Sequence, residues 1–106
     1  MSNAVTITDA NFETEVGVRE GKVLLDFWAS WCGPCQMLGP VIEQVADELD
    51  GKVLVGKVNV ADNRDLATRF GVMSIPTVIV FKNGLEVNRA VGVQPKAKLL
   101  QMIEQA

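Results

Sequence analysis

Trp31-Cys32-Gly33-Pro34-Cys35 contains both cysteines of this chain, two residues apart. A disulfide stabilises chiefly by closing a long loop, and this loop is about as short as loops get. The spacing suits two other chemistries: a dithiol that exchanges with disulfides, or a pair of metal ligands. Two inert buried thiols are the bland alternative. A zinc site usually takes four Cys or His ligands. The chain has no histidine and no third cysteine, so a metal would require two chains. One carboxylate also stands out. Asp26 is the only ionisable residue in the apolar run from Val23 to Ala29. Desolvation in such a run raises a carboxyl pKa toward neutrality, which suits a group that takes a proton from a thiol.

The elements that must position these residues are legible in the apolar pattern. Val5 to Thr8 reads as a brief edge strand. Asp9 is placed to cap a following helix that turns Phe12 and Val16 inward. Val23 to Ala29 is apolar on both faces, which belongs in the middle of a sheet covered on both sides. From Pro34 onward, Leu38, Val41, Ile42, Val45 and Leu49 recur at helical spacing, and Gly51 closes the helix. Pro34 suits a first helical turn, where its missing N–H is not needed. Pro40 lies inside the pattern, which resumes in phase beyond it, so it kinks the helix without ending it.

Val53 to Val60 is a second β-branched strand. Asp62 or Asn63 caps a short helix with Leu66, Ala67 and Phe70 inward, stopped by Gly71. Thr77 to Phe81 and Glu86 to Val91 flank Asn83-Gly84, a strong hairpin signal. Pro95 opens a last helix with Leu99, Leu100 and Ile103 buried, and Met37 and Met102 read as gap-fillers on their helices. The order β-α-β-α-β-α-β-β-α predicts an α/β fold. Its central sheet is mixed, with early parallel strands, a final antiparallel pair and helices on both faces.

The 106 residues, 48% hydrophobic, are the size of one compact domain spanning 1–106. The net charge of −3 and the lack of a basic patch argue against nucleic acid and anionic membrane as partners. No apolar stretch is long enough to span a membrane. Met1-Ser2-Asn3-Ala4 lacks the basic start and apolar run of a secretory signal, so the expected location is cytoplasmic. In that reducing compartment a close thiol pair is expected to be catalytic or metal-binding.

The cysteines fall between the carboxyl end of a buried strand and the N-terminus of a helix. Backbone N–H groups there lack helical partners, and the helix dipole favours negative charge. A thiolate on Cys32 gains both effects. Because Pro34 has no N–H, the Cys35 N–H is the nearest donor. Cys32 is therefore expected to be the exposed, acidified nucleophile and Cys35 the more buried partner.

The segment Asp26-Phe27-Trp28-Ala29-Ser30-Trp31-Cys32-Gly33-Pro34-Cys35 resembles the active-site segment of the thioredoxin family. Pro40, Lys57, Ile75-Pro76-Thr77, Phe81-Lys82-Asn83-Gly84 and Gly92 match the family pattern in order and spacing, over essentially the full chain. The resemblance implies the thioredoxin fold with a five-stranded sheet. It implies a protein-disulfide reductase in which Cys32 attacks a substrate disulfide and Cys35 resolves the mixed disulfide. No cofactor is bound; the redox group is the Cys32–Cys35 disulfide, re-reduced by a flavin- and NADPH-dependent thioredoxin reductase.

Further roles come from the same resemblance. Asp26 accepts the Cys35 proton with Lys57 nearby. Ile75-Pro76 is a cis-proline loop facing the cysteines, against the ordinary trans preference of X-Pro bonds. Trp31, Gly33, Pro34, Ile75, Pro76, Gly92 and Val93 form the apolar surface for an extended substrate segment. Ribonucleotide reductase, peroxiredoxin and methionine sulfoxide reductase types are the implied clients, and a monomer the implied state.

The chain departs from the pattern at Gln36, where the family often has a basic residue, and at Met73-Ser74, where a basic or small polar pair is frequent. Two competing functions are a binding module that uses the apolar surface without redox turnover, and an oxidant or isomerase of the secretory type. The latter often carries histidine between the cysteines, and Gly33-Pro34 argues against it.

Overall fold

The computed structural model describes residues 3–106; Met1 and Ser2, on which part of the reading of the N-terminus rests, lie outside the described residues. Five strands and three α-helices follow in order. They are β1 Val5–Thr6, β2 Lys22–Trp28, α1 Gly33–Glu48, β3 Leu54–Asn59, α2 Arg64–Arg69, β4 Thr77–Lys82, β5 Leu85–Val91 and α3 Lys96–Glu104. Between β1 and β2 lies one wide helical turn, Glu13–Gly17, in which the Val18 N–H reaches the Glu13 carbonyl five residues back (3.0 Å). It still delivers Phe12 and Val16 to the core.

The strands form one sheet in the order β1-β3-β2-β4-β5. β3 runs parallel to β1 and β2, whereas β4 is antiparallel to both β2 and β5. The antiparallel part thus begins at the β2–β4 junction, one strand pair earlier than the hairpin alone indicates. β2 sits centrally and is buried along most of its length, as its apolar run demands.

Alternation along β2 assigns the two faces. Leu24 packs with Leu38, Ile42 and Val45 of α1 and with Leu99, Met102 and Ile103 of α3. Leu25 and Phe27 point the other way, into a cluster with Phe12, Val16, Leu66 and Phe81. Phe12, Phe70 and Phe81 meet there with ring centroids 5.2–5.8 Å apart, in tilted and edge-on arrangements. Asp26 follows Leu24 in the alternation and belongs to the α1 side.

Two local readings change. β1 stops at Thr6 because Asn11 turns the chain: its Oδ1 accepts the Thr8 N–H (2.7 Å) and its Nδ2 donates to the Thr6 carbonyl (3.0 Å). Asp9, expected to cap the helix after it, caps α2 across the molecule, accepting the Leu66 N–H at 3.0 Å. Asn63, at the capping position of α2, instead accepts the Asp9 N–H and donates to the Asn59 carbonyl. Asp9 takes the cap expected of Asn63, and Asn63 holds the Asp9 backbone, which locks the end of β1 to α2.

The hairpin follows its sequence signal. Lys82 pairs with Leu85, and Asn83 (φ 52°) and Gly84 (φ 81°) supply the two left-handed residues of a two-residue turn. The turn is tied down by a pair of hydrogen bonds between Asn83 and Gly21 (2.8 and 2.9 Å). The β4–β5 register then slips, so Val87 bulges opposite the Val80–Phe81 step.

Candidate functional site

The site begins where β2 ends. Cys32 is the N-cap of α1, with extended backbone (φ −94°, ψ 113°), and Gly33 and Pro34 fill the first helical turn. An N-cap side chain normally presents an oxygen to the third helical N–H. Here a sulfur takes that place: the Cys35 N–H points at Cys32 Sγ at 3.2 Å. The sequence folds this way because glycine and proline form a tight first turn that needs no N–H from Pro34. The helix then runs unbroken through Pro40 to Glu48.

Cys32 and Cys35 are joined by a disulfide, their Cα atoms 5.2 Å apart. They pack with Ala29, flanked by Trp28, Val60 and Ile75. Cys32, expected to be exposed, is only 6% exposed in the disulfide form, buried like Cys35 at 3%, because both residues pack against Ala29 and Ile75. The clearer inequality lies in the backbone, because the helix N–H serves Cys32.

A second loop faces the pair. The Ile75-Pro76 peptide is cis, and the Ile75 carbonyl oxygen lies 3.8 Å from Cys32 Sγ. The Gly92 N–H donates to the Pro76 carbonyl (2.8 Å), which brings the end of β5 to this loop. Gly92 has φ 92°, a conformation that favours glycine. The Thr77 hydroxyl donates to the Ser74 carbonyl (2.5 Å) and braces the approach to Pro76.

Around this centre the surface is apolar and open. Trp31 is 74% exposed, Met73 is 92% exposed, and Met37 and Val93 are also exposed. Met37 is therefore no gap-filler, unlike Met102, which is buried. Gln36 stays at the surface and donates to the Ser30 carbonyl (3.3 Å).

Asp26 lies within β2, the strand that leads into the motif, 1% exposed, and neither carboxyl oxygen has a hydrogen-bond partner. Burial pushes its carboxyl up from 3.8 to about 7; the Lys57 charge opposes this and the Glu43 charge adds to it. Asp26 and Lys57 are neighbours in the β2–β3 register. The Lys57 ammonium, however, lies 4.0 Å from Glu43 Oε1 and 4.7 Å from the centre of the Trp28 ring. Register brings the expected Asp26 and Lys57 side by side, but no ion pair joins them. Glu43 is a participant that the sequence reading missed. On α1 it flanks the apolar stripe and carries no signal beyond its charge. No cluster of His, Cys, Asp and Glu among the described residues could hold a metal ion.

A disulfide at a helix N-terminus, faced by a proline loop and preceded on its strand by a buried carboxyl, defines a dithiol–disulfide exchange site on a mixed α/β sheet. The family model described as Thioredoxin matches residues 3–105. A thioredoxin from Chlorobaculum thiosulfatiphilum is 49% identical over 98 residues, covering 92% of this chain and 91% of that one. A thioredoxin from Haemophilus influenzae is 48% identical over 105 residues, 99% of this chain and 98% of its own. Thioredoxin 1 from a Nostoc species is 45% identical over 104 residues, with 98% and 97% covered. The chain belongs to the thioredoxin family. It is a thiol–disulfide oxidoreductase with protein-disulfide reductase activity, working through the Cys32–Cys35 disulfide with no bound cofactor. Its partners are disulfide-containing proteins and a reductase.

Proposed function

We propose that the two cysteines divide the reaction unequally, with Cys32 attacking and Cys35 resolving. The observation that carries this is the Cys35 N–H directed at Cys32 Sγ from the first turn of α1 (3.2 Å). A negative sulfur at Cys32 gains that hydrogen bond and the helix dipole, so the reduced protein holds its thiolate there. The Cys32 thiolate attacks one sulfur of a substrate disulfide. A mixed disulfide forms and the first substrate thiolate leaves. Cys35 then gives its proton to the Asp26 carboxylate, and its thiolate attacks Cys32 Sγ. The second substrate thiolate departs. Two electrons have passed to the substrate, and the protein carries the Cys32–Cys35 disulfide. A flavin- and NADPH-dependent thioredoxin reductase returns both electrons.

Asp26 suits the proton step because its carboxyl sits at about 7, near the working pH. Lys57 supplies positive charge beside it. Trp31, Gly33, Pro34, Ile75, Pro76, Gly92 and Val93 are assigned to substrate docking, in support of which Ile75 lies against Cys32 and Gly92 is bonded to Pro76. The remaining assignments are a single domain over 1–106 and a monomeric, cytoplasmic protein. Its clients are of the ribonucleotide reductase, peroxiredoxin and methionine sulfoxide reductase types.

The test of the reductase reading is the rate of protein-disulfide reduction by dithiothreitol with catalytic amounts of the chain. Acceleration is expected from the parent and none from a Cys32→Ser variant. With Asp26→Asn, the rate at neutral pH falls and the acid limb of its pH profile disappears. An unchanged profile removes Asp26 from the proton step.

A further inference from the structure

Lys57 is not a simple ion-pair partner of Asp26: its ammonium lies by Glu43 and over the Trp28 ring. Strand register sets the two residues side by side, yet the carboxyl oxygens of Asp26 have no hydrogen-bond partner. The ammonium of Lys57 is held instead by two groups facing a surface cleft. Glu43, within the first turn of the second half of α1, offers Oε1 at 4.0 Å, and the centre of the Trp28 ring lies 4.7 Å from the nitrogen. Trp28, Lys57 and Glu43 line that cleft together with Asn59 and Asp62. An ammonium over an indole face gains cation–π attraction, and an adjacent carboxylate fixes which face it chooses.

We propose that Glu43 is a positioning residue for the exchange reaction: its carboxylate holds the Lys57 ammonium over the Trp28 ring and off the Asp26 carboxyl. This rests on the reading of Asp26 as the proton acceptor for Cys35. The physical consequence is a matter of competition. A lysine that paired directly with Asp26 would favour its carboxylate and make it a weak base. Diverted to Glu43, Lys57 still projects positive charge toward Asp26, but without a hydrogen bond. Asp26 is left able to take a proton and to give it up again near neutral pH.

The charged groups facing Asp26 are few. Lys57 comes from β3 and Glu43 from α1. Its neighbour on β4 is Val78, and α3 turns Leu99, Met102 and Ile103 toward this side of the sheet. Asp62 lies on the cleft wall beyond Lys57. Glu43 and Lys57 are both part-exposed, so their pairing contributes little to stability and its loss leaves the fold intact.

The test is a carbon-13 titration of the Asp26 carboxyl in the oxidised full chain, for the parent, Glu43→Gln, Lys57→Met and the double variant. With Glu43→Gln, Lys57 turns to Asp26 and the midpoint drops below the parent value of about 7. With Lys57 already replaced by methionine, the further change Glu43→Gln moves the midpoint much less. A Glu43→Gln midpoint that overlays the parent overturns the proposal. So does an equal drop in both backgrounds, which would make Glu43 a direct and independent influence. The pH profile of dithiothreitol-driven turnover should shift to lower pH with the titration. If Asp26→Asn leaves that profile unchanged while Glu43→Gln still moves the carboxyl midpoint, the proton-acceptor reading fails and the hold of Glu43 on Lys57 stands.

Discussion

Asp26 carries a cost that the fold retains. Its carboxyl sits at about 7 when folded and at 3.8 when freely solvated, because burial opposes its charge. Between these values the folded state keeps a proton that the unfolded chain has lost. The contribution of Asp26 to stability is therefore greatest below about pH 4, falls as pH rises to about 7, and then levels off. The span corresponds to about 4 kcal/mol. An Asp26→Asn variant, which cannot ionise, is expected to be more stable than the parent by up to about that amount at pH 8. The gain shrinks to nothing below about pH 4 in urea unfolding, whereas a gain independent of pH would remove ionisation as its cause. The burial of Asp26 was readable, because a lone charge inside an apolar central strand is carried into the core with its neighbours. Glu43 was not, because a carboxylate beside a helix stripe looks like any solvated residue, and its partner is a strand away.

α1 joins chemistry to architecture. Its N-cap is the reactive sulfur itself, so the first turn of the helix is part of the site. That geometry was legible from Gly33-Pro34 and from the apolar period across Pro40, both local signals. The β4–β5 hairpin was legible for the same reason, through Asn83-Gly84. The bonding of Asp9 to Asn63 and to the first turn of α2 was not, since it joins residues more than fifty apart in the chain. The Val87 bulge was likewise invisible to a period-two pattern. A prediction at this scale concerns the turn. A Cβ on Gly84 would overlap the backbone carbonyl of Gly17, and the residue has φ 81°. Gly84→Ala should cost about 2 kcal/mol or more in urea unfolding, since both strain and a backbone shift are required. Gly33→Ala meets open space and should cost little.

Across the whole molecule, the sheet order places β2 between β3 and β4. One strand end therefore delivers Trp28 and the cysteine loop, while its neighbours bring Lys57 and the Ile75-Pro76 loop. Trp31, adjacent to Cys32 in the chain, and Met73, two residues before Ile75, are both exposed apolar groups. The docking proposed for Trp31 concerns an extended polypeptide, whereas a small thiol needs only the sulfur. Trp31→Ala is expected to lower kcat/KM for protein disulfides while leaving the rate of reduction of Cys32–Cys35 by dithiothreitol unchanged. Equal losses in both reactions would place Trp31 in the chemistry and not in docking. No helix among the described residues is long and apolar enough to cross a membrane.

The most direct test of the unequal cysteines is a trap. Reduced Cys35→Ser and Cys32→Ser variants are mixed with a disulfide-containing protein, and the adducts are mapped by mass spectrometry. The account predicts a stable mixed disulfide through Cys32 in Cys35→Ser, formed rapidly, and at most a slow trace through Cys35 in Cys32→Ser. An adduct formed faster through Cys35 would contradict it.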